Sequence, residues 1–317
     1  MDIRLVTEGK ADYLPTLLLA DEAAHIGGYL ARGDLHVLCD NGVVKSVCIV
    51  TDEGNGVYEL QNLATNESHQ RRGYGSALVR HVLATYAAQD GALSMLVGTG
   101  YGSTLVAFYA RCGFALADII PNYMVEHCEE PVIEDGRRIT DKAVLRLDFP
   151  IFRPAVPEDL DDIARLYRSL VGTPGCTWND EYPTRESAKA DFSENALYVL
   201  KDREHILAVA SAGAFGELNE TDVPWKTRNA CELMRIGVLS ARQGHGMGTL
   251  LLRHIMREMR RNGFDGIRLL VSQTNPAAGR LYEKNGFEKR GALFAFGHDF
   301  WCYERVFGMG AYGSNPQ

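Results

Sequence analysis

No stretch of eighteen or more apolar residues occurs in this chain of 317 residues, so nothing in it reads as a membrane-spanning helix. The opening Met1-Asp2-Ile3-Arg4 lacks the basic segment and apolar run of a secretory signal. The seven cysteines, at 39, 48, 112, 128, 176, 231 and 302, form no C-x-x-C pair and no Cys/His cluster. That scatter predicts no metal site and points to reduced, mostly buried thiols in a cytoplasmic protein. A positive surplus is lacking too. Residues 1–149 carry 12 Lys+Arg against 20 Asp+Glu, and residues 150–317 carry 21 of each. The net charge of −8 therefore sits in the first half. This argues against nucleic acid as a partner, and fits either a cationic substrate or a solvated acidic surface.

What the chain does have is one stretch written twice. Gln70-Arg71-Arg72-Gly73-Tyr74-Gly75 returns 173 positions later as Gln243-Gly244-His245-Gly246-Met247-Gly248. The same offset relates Glu59 to Glu232, His81 to His254, Tyr109 to Tyr282, Gly113 to Gly286 and Phe114 to Phe287. One register held over about fifty residues implies two copies of one domain. The boundary is placed near Phe149-Pro150, giving domains 1–149 and 150–317.

Each copy reads as an α/β domain with a mixed sheet. In the first, a helix is expected over Ala11–Leu30. Strands follow at Leu35–Cys39 and Val44–Thr51, joined at Asp40-Asn41-Gly42, an Asx-Gly hairpin signal. A long strand at Val57–Thr65 leads to the glycine turn. Next come an amphipathic helix, Ser76–Gln89, a strand, Leu93–Gly98, and a helix, Thr104–Arg111, closed by Gly113. The second copy repeats this order with Phe152–Pro157, Pro157–Leu170, Ala196–Lys201, His205–Ala212, Cys231–Leu239, Met247–Asn262, Ile267–Ser272 and Ala277–Asn285. The offset grows in steps from 149 to 162 to 173, so the second copy has gained residues twice, at roughly Val171–Glu194 and Ala214–Arg228. Insertions around a shared core alter specificity more than fold. Pro131–Gly136 and Ala143–Leu147 read as two strands around a turn, and the glycine-rich Gly308–Gln317 is expected to fray.

A strand, then Q-x-x-G-x-G, then a helix is a cradle for a pyrophosphate. The glycines admit a tight turn and close backbone approach, and the free N–H groups of the helix start converge on one spot. Arg71 and Arg72 in the first copy, and Arg242 and His245 in the second, could add cationic contacts. His81 and His254 lie within the amphipathic helices and read as packing or surface residues.

This segment resembles motif A of the GNAT superfamily of N-acetyltransferases, [Q/R]-x-x-G-x-[G/A]. The stretch Asn275-Pro276-Ala277-Ala278-Gly279-Arg280-Leu281-Tyr282-Glu283-Lys284-Asn285-Gly286-Phe287 resembles its motif B, as does Leu105–Phe114 in the first copy. The resemblance covers both halves and implies tandem acyl-CoA N-acyltransferase domains that move acetyl from acetyl-CoA to an amine. It implies that the pantetheine arm lies between two splayed parallel strands, Val57–Thr65 with Leu93–Gly98 and Cys231–Leu239 with Ile267–Ser272. Cofactor contacts are implied for Thr65, Gln70, Arg71, Arg72, Gly73, Tyr74 and Gly75. In the second copy they are implied for Val238, Gln243, Gly244, His245, Gly246, Met247, Gly248 and Asn275. Glu59 and Glu232 stand where a base would take the proton of the amine, and Tyr109 and Tyr282 where a phenol would protonate the leaving thiolate. The counterpart of Asn275 is Gly102, which makes the second copy the stronger catalytic candidate. The acceptor is expected to be a small-molecule amine. A protein or peptide acceptor, or a non-catalytic half that only binds acyl-CoA, remains open, as does the oligomeric state.

Overall fold

The computed structural model describes residues 1–134 and 136–308. The rest of the glycine-rich tail, and Asp135 of the turn at 131–136, lie outside the described residues. Contacts divide the chain into two compact units, Met1–Phe149 and the part from Pro150 onward.

The first unit runs β1 (Asp2–Val6), α1 (Leu14–Leu17), α2 (Ala23–Tyr29), β2 (Asp34–Asp40), β3 (Val43–Asp52), β4 (Val57–Thr65), α3 (Tyr74–Tyr86), β5 (Ser94–Gly100) and α4 (Thr104–Arg111). It continues with β6 (Ala115–Ile120), α5 (Tyr123–His127), the small hairpin β7 (Ile133–Glu134) and β8 (Arg137–Arg138), and β9 (Lys142–Asp148). Its main sheet has the order β1-β2-β3-β4-β5-β9-β6. Only β4 and β5 run parallel in it; every other neighbouring pair is antiparallel.

The second unit runs β10 (Ile151–Pro154), α6 (Leu160–Leu170), α7 (Arg185–Ser193), β11 (Leu197–Lys201), β12 (Ile206–Gly213), β13 (Ala230–Val238), α8 (Met247–Arg261), β14 (Gly266–Ser272), α9 (Pro276–Lys284), β15 (Glu288–Ala295) and β16 (His298–Val306). Its sheet, β10-β11-β12-β13-β14-β16-β15, has the same wiring. Both units are thus mixed α/β sheets with one parallel pair at the centre.

Helices cover both faces of each sheet. On one face of the first unit, Leu17, Ile26 and Tyr29 bury against Val37, Val47, Ile49 and Ala64. In the second, Ile163, Leu166, Tyr167 and Leu170 bury against Val199 and Val209. On the opposite faces lie α3, through Leu78, Val79 and Val82, and α8, through Leu251, Ile255 and Met259. The Asn-Gly hairpin is present: Asn41 and Gly42 both take positive φ, 52° and 74°, between the paired Asp40 and Val43.

Three segments depart from the sequence reading. The helix expected over Ala11–Leu30 is broken into a short 3-10 turn, α1 and α2. Asp21 causes the restart: its carboxylate accepts from the Glu22 N–H, faces His25 Nδ1 at 2.9 Å and accepts from the Tyr29 hydroxyl. The first insertion is shorter than Val171–Glu194, because α7 belongs to the shared fold. At the offset of 162 it overlays α2, so the added residues occupy the loop before Arg185. Finally, the strand pair expected over Pro131–Leu147 is a two-residue hairpin plus β9, which pairs with β5 and β6 instead.

Candidate active site

The long central strand of each unit slips register midway. In the first, Val50 faces Leu60 but Ile49 faces Asn62; in the second, Ser211 faces Met234 but Val209 faces Gly237. Past these bulges the parallel partners separate. β4 pairs with β5 only over Val57–Leu60, and β13 with β14 only over Ala230–Glu232. The remaining length of each long strand keeps its neighbour on one edge and has none on the other. Its unpaired backbone groups line a wedge that an extended amide-bearing ligand can enter by strand addition.

At the wide end of each wedge the glycine turn opens a helix. Gly73 and Gly246 cap α3 and α8 with φ of 84° and 82°. Two residues earlier, Gly244 has φ 75°, and the non-glycine Arg71 adopts the same left-handed bend at φ 59°. Among the described residues, no backbone hydrogen bond is donated by the N–H groups of 71–75 or 244–248. They form a bare cradle for an anion. Gly75 and Gly248 allow the helix to approach closely, since a Cβ would stand 3.3 Å from Thr65 Oγ1 or 3.0 Å from Leu281 Cδ2. The glutamine of each turn is exposed but folds back onto its strand. Gln70 Nε2 donates to the Thr65 carbonyl at 3.2 Å and Gln243 Nε2 to the Val238 carbonyl at 3.1 Å, so each ties the strand end to the turn.

Family models match the same two regions. The Acetyltransferase (GNAT) domain model matches residues 31–116, and the Acetyltransferase (GNAT) family model matches residues 163–287. An uncharacterized N-acetyltransferase of Bacillus subtilis, YvbK, is 30% identical over 148 residues, 46% of this chain and 95% of that protein. The chain belongs to the GNAT acetyltransferase family. As a GNAT protein it is an acyltransferase using acetyl-CoA. Phosphinothricin N-acetyltransferase of Streptomyces viridochromogenes is 26% identical over 168 residues, 50% of this chain and 88% of that one. A Bacillus subtilis acetyltransferase solved in complex with CoA shares 28% identity, covers 46% of this chain and 97% of its own, and has a TM-score of 0.44.

The remaining residues singled out in the sequence sit in different surroundings in the two units. Glu232 is 2% exposed, and its two carboxylate oxygens accept the N–H groups of Leu218 at 2.8 Å and Glu217 at 3.1 Å. Burial raises its pKa and outweighs those hydrogen bonds, so it holds a proton more readily than an ordinary glutamate. Glu59 is half-buried on β4, paired with Leu96 across the parallel seam. Tyr109 and Tyr282 are each 5% exposed, against Phe114 and Phe287 respectively. Among the described residues neither hydroxyl has a hydrogen-bond partner, and burial pushes both phenols well above their usual pKa. His254 stacks on Phe152 at 4.8 Å and His81 packs edge-on to His36, so both are packing residues.

Asn275 caps α9, its Oδ1 accepting the Ala278 N–H at 3.0 Å. The first unit has the same device one position off the offset: Ser103 Oγ accepts the Leu105 N–H at 3.0 Å and caps α4. Gly102 therefore marks a shift of the cap rather than its loss. Removing either cap, Asn275→Ala or Ser103→Ala, is expected to cost its own unit about 1 kcal/mol, read by urea denaturation.

Of the cationic candidates, Arg242 reaches Asp202 at 3.7 Å and His245 Nδ1 folds back to the Gln243 carbonyl at 2.8 Å. Tyr74 donates to Asp40, whereas Arg71 and Arg72 are exposed at the turn.

Both insertions of the second unit reach the Glu232 face of the sheet. Gly175 lies so close to the cap of α9 that a Cβ would stand 2.9 Å from Asn275 Cα, and Trp178 packs on Tyr167 and near Gly237. From the other side, Trp225 lies over the Arg268 guanidinium at 5.1 Å, its Nε1–H held by the Leu218 carbonyl and Thr221.

Four residues on this face, Arg235, Asp191, Tyr182 and Ser211, were missed in the sequence. Arg235 occupies the bulge of β13 with φ 51°. It pairs with Asp191 of α7 at 3.2 Å, and its guanidinium lies over the Tyr182 ring at 5.5 Å. Asp191 is buried and also accepts from Ser211 Oγ at 2.5 Å. Burial raises the Asp191 pKa against both of those partners. Among the described residues, no group of three or more His, Cys, Asp or Glu is placed to hold a metal, and no helix is long and apolar enough to cross a membrane.

Proposed function

We propose that the chain acetylates the primary amine of a small molecule, with the second unit as its main catalytic centre. The observation that carries this reading is the pair of inserted segments walling the Glu232 face, one against Asn275 and one over Arg268. A walled mouth suits a compact acceptor better than a peptide in a groove. The relative that acetylates phosphinothricin agrees with a small acceptor.

The chemistry divides among few groups. The wedge beside β13 takes the pantetheine arm along Leu233–Val238, with Val238 at its wide end. The bare N–H groups of Gly244, Gly246 and Gly248 take the pyrophosphate, and Gln243 and Asn275 hold the turn and helix that present them. The first unit offers the same to a cofactor through Thr65, Gln70, Arg71, Arg72, Gly73, Tyr74 and Gly75. Glu232, directly or through water, takes the proton of the attacking amine, for which its raised pKa suits it. The nitrogen attacks the thioester carbonyl, a strand N–H in the wedge steadies the oxyanion, and the C–S bond breaks. Tyr282, kept protonated by burial, gives its proton to the leaving thiolate. Free thiols at all seven cysteines fit a cytoplasmic setting.

The second reading, a first unit that binds acyl-CoA without turnover, is favoured by one observation. On the Glu59 face of β5 the Lys142 stem lies so close to Gly98 that a Cβ would meet its Cε at 2.1 Å, and Ile139 covers Gly100 in the same way. These side chains leave less room for an acceptor on that face.

Titrating CoA into the intact chain by calorimetry is expected to give two molecules per chain. A panel of amines with acetyl-CoA should then give turnover that Glu232→Gln abolishes and Glu59→Gln leaves largely intact. Binding of CoA without transfer to any amine would remove the enzymatic reading of this site.

A further inference from the structure

The two units differ most at the bulge of the long strand, on the face where the acceptor lies. In the first unit the slip leaves out Gln61, while the next residue, Asn62, stays in register with Ile49, is buried and donates to the Leu17 carbonyl and the Tyr29 hydroxyl, a neutral arrangement that packs α1 and α2. At the offset of 173 its counterpart is Arg235. A long side chain in the left-handed region is strained, and such strain persists where the surroundings hold the residue for a purpose.

The surroundings do hold it. Asp191, anchored through Ser211, engages Nη1 only, and Tyr182 lies under the guanidinium plane. Nε is buried with no partner, and Nη2 is the terminal nitrogen beside it. These two nitrogens form one edge of the guanidinium, the edge that takes a carboxylate side-on through two parallel hydrogen bonds. An unsatisfied buried donor beside a desolvated ion pair is costly unless a ligand completes it.

We propose that the acceptor of the second unit is an amine that also carries a carboxylate, an amino acid or a close analogue, and that Arg235 binds that carboxylate through its Nε/Nη2 edge. This rests on the acetyl-transfer reading of the same site. Glu232 and Arg235 are three residues apart on one strand, roughly 10 Å between Cα atoms at about 3.3 Å per residue. That span places the anion a few bonds from the amine. The α-amino or near-chain amine then faces Glu232 and the thioester, while the carboxylate fixes its orientation against α7.

Matched pairs test this in the intact chain: amino acids against their carboxamides, with thiol release from acetyl-CoA as the readout. The acid of at least one pair should be preferred about tenfold or more in kcat/KM. Arg235→Gln should raise KM for that acid ten- to a hundredfold while leaving the amide within about threefold. Arg235→Lys, which keeps charge but loses the fork, should fall between. Melting curves check that each variant is folded. A second arm does not depend on turnover: calorimetry of N-acetyl amino acids against N-acetyl amino amides, with CoA present, should show the same preference and its loss in Arg235→Gln. Equal use or binding of acids and amides by the wild type, or a preference that survives Arg235→Gln, overturns the proposal. Failure to acetylate any amine, with the acid-selective binding retained, would instead count against the catalytic reading and leave Arg235 as an anion site.

Discussion

Tyr282→Phe is expected to lower kcat for acetyl transfer by a hundredfold or more, the usual weight of a positioned general acid. The hydroxyl has no hydrogen-bond partner among the described residues, and the ring packs against Phe287 and Tyr303. Removing one oxygen therefore leaves the packing intact, and the thermal midpoint should stay where it is. A merely structural tyrosine would give the opposite pattern, with activity unchanged. Tyr109→Phe in the same assay assigns turnover to units, and the walled second site predicts a small effect there. Steady-state kinetics with thiol release, together with a melting curve for each variant, decides the matter.

Glu304→Ala is expected to cost the second unit about 3–5 kcal/mol, a large share of an ordinary domain's stability. Glu304 is fully buried on β16. Its oxygens accept from Arg290 Nε at 2.7 Å, from Thr227 Oγ1 at 2.6 Å, and from the N–H groups of Lys226 and Thr227 near 3.0 Å. Arg268 Nε lies 3.7 Å away and also donates to Thr227. One carboxylate thus ties β14, β15 and β16 to the end of the second insertion, and its removal leaves Arg268 with only the neutral partners Thr227 and Asn219 and Arg290 with only the exposed Glu288. Burial alone would raise its pKa, but Thr227, Arg290 and the backbone donors together hold it below the usual range. A depressed carboxylate contributes stability above its unfolded pKa and loses it as pH falls through the folded value. The wild-type second unit should therefore weaken as pH drops below the ordinary glutamate range, and Glu304→Gln should flatten that dependence. Urea denaturation from neutral to acid pH reads both effects.

The architecture was legible where chemistry repeats. Two in-register glycine turns, the Asn41-Gly42 hairpin and the amphipathic patterns of α3 and α8 each announced their element. β6, β15 and β16 did not; Ala115–Ile120, for one, is exposed along nearly its whole length and carries no clean alternation. Asp21 breaks a continuous apolar pattern through three side-chain contacts that only the folded chain brings together. The cap at Ser103 was hidden by a one-residue shift that a fixed offset reads as the absence of Asn275. Arg235 was invisible for a related reason. A register slip has no sequence signature, and before it is seen Arg235 and Asn62 are unremarkable strand positions.

The separation of β4 from β5 and of β13 from β14 has a consequence for how such a sheet stays out of trouble. Unpaired strand edges invite other chains, and proteins usually guard them at the rim with charge, proline or a covering helix. Here each vulnerable edge lies inside the sheet, in a notch with a strand on either side. One extended ligand can enter, but a second strand with its own neighbours cannot. The shape of the notch acts as its own gatekeeper, so the backbone can stay unsatisfied between ligands without becoming a template for association.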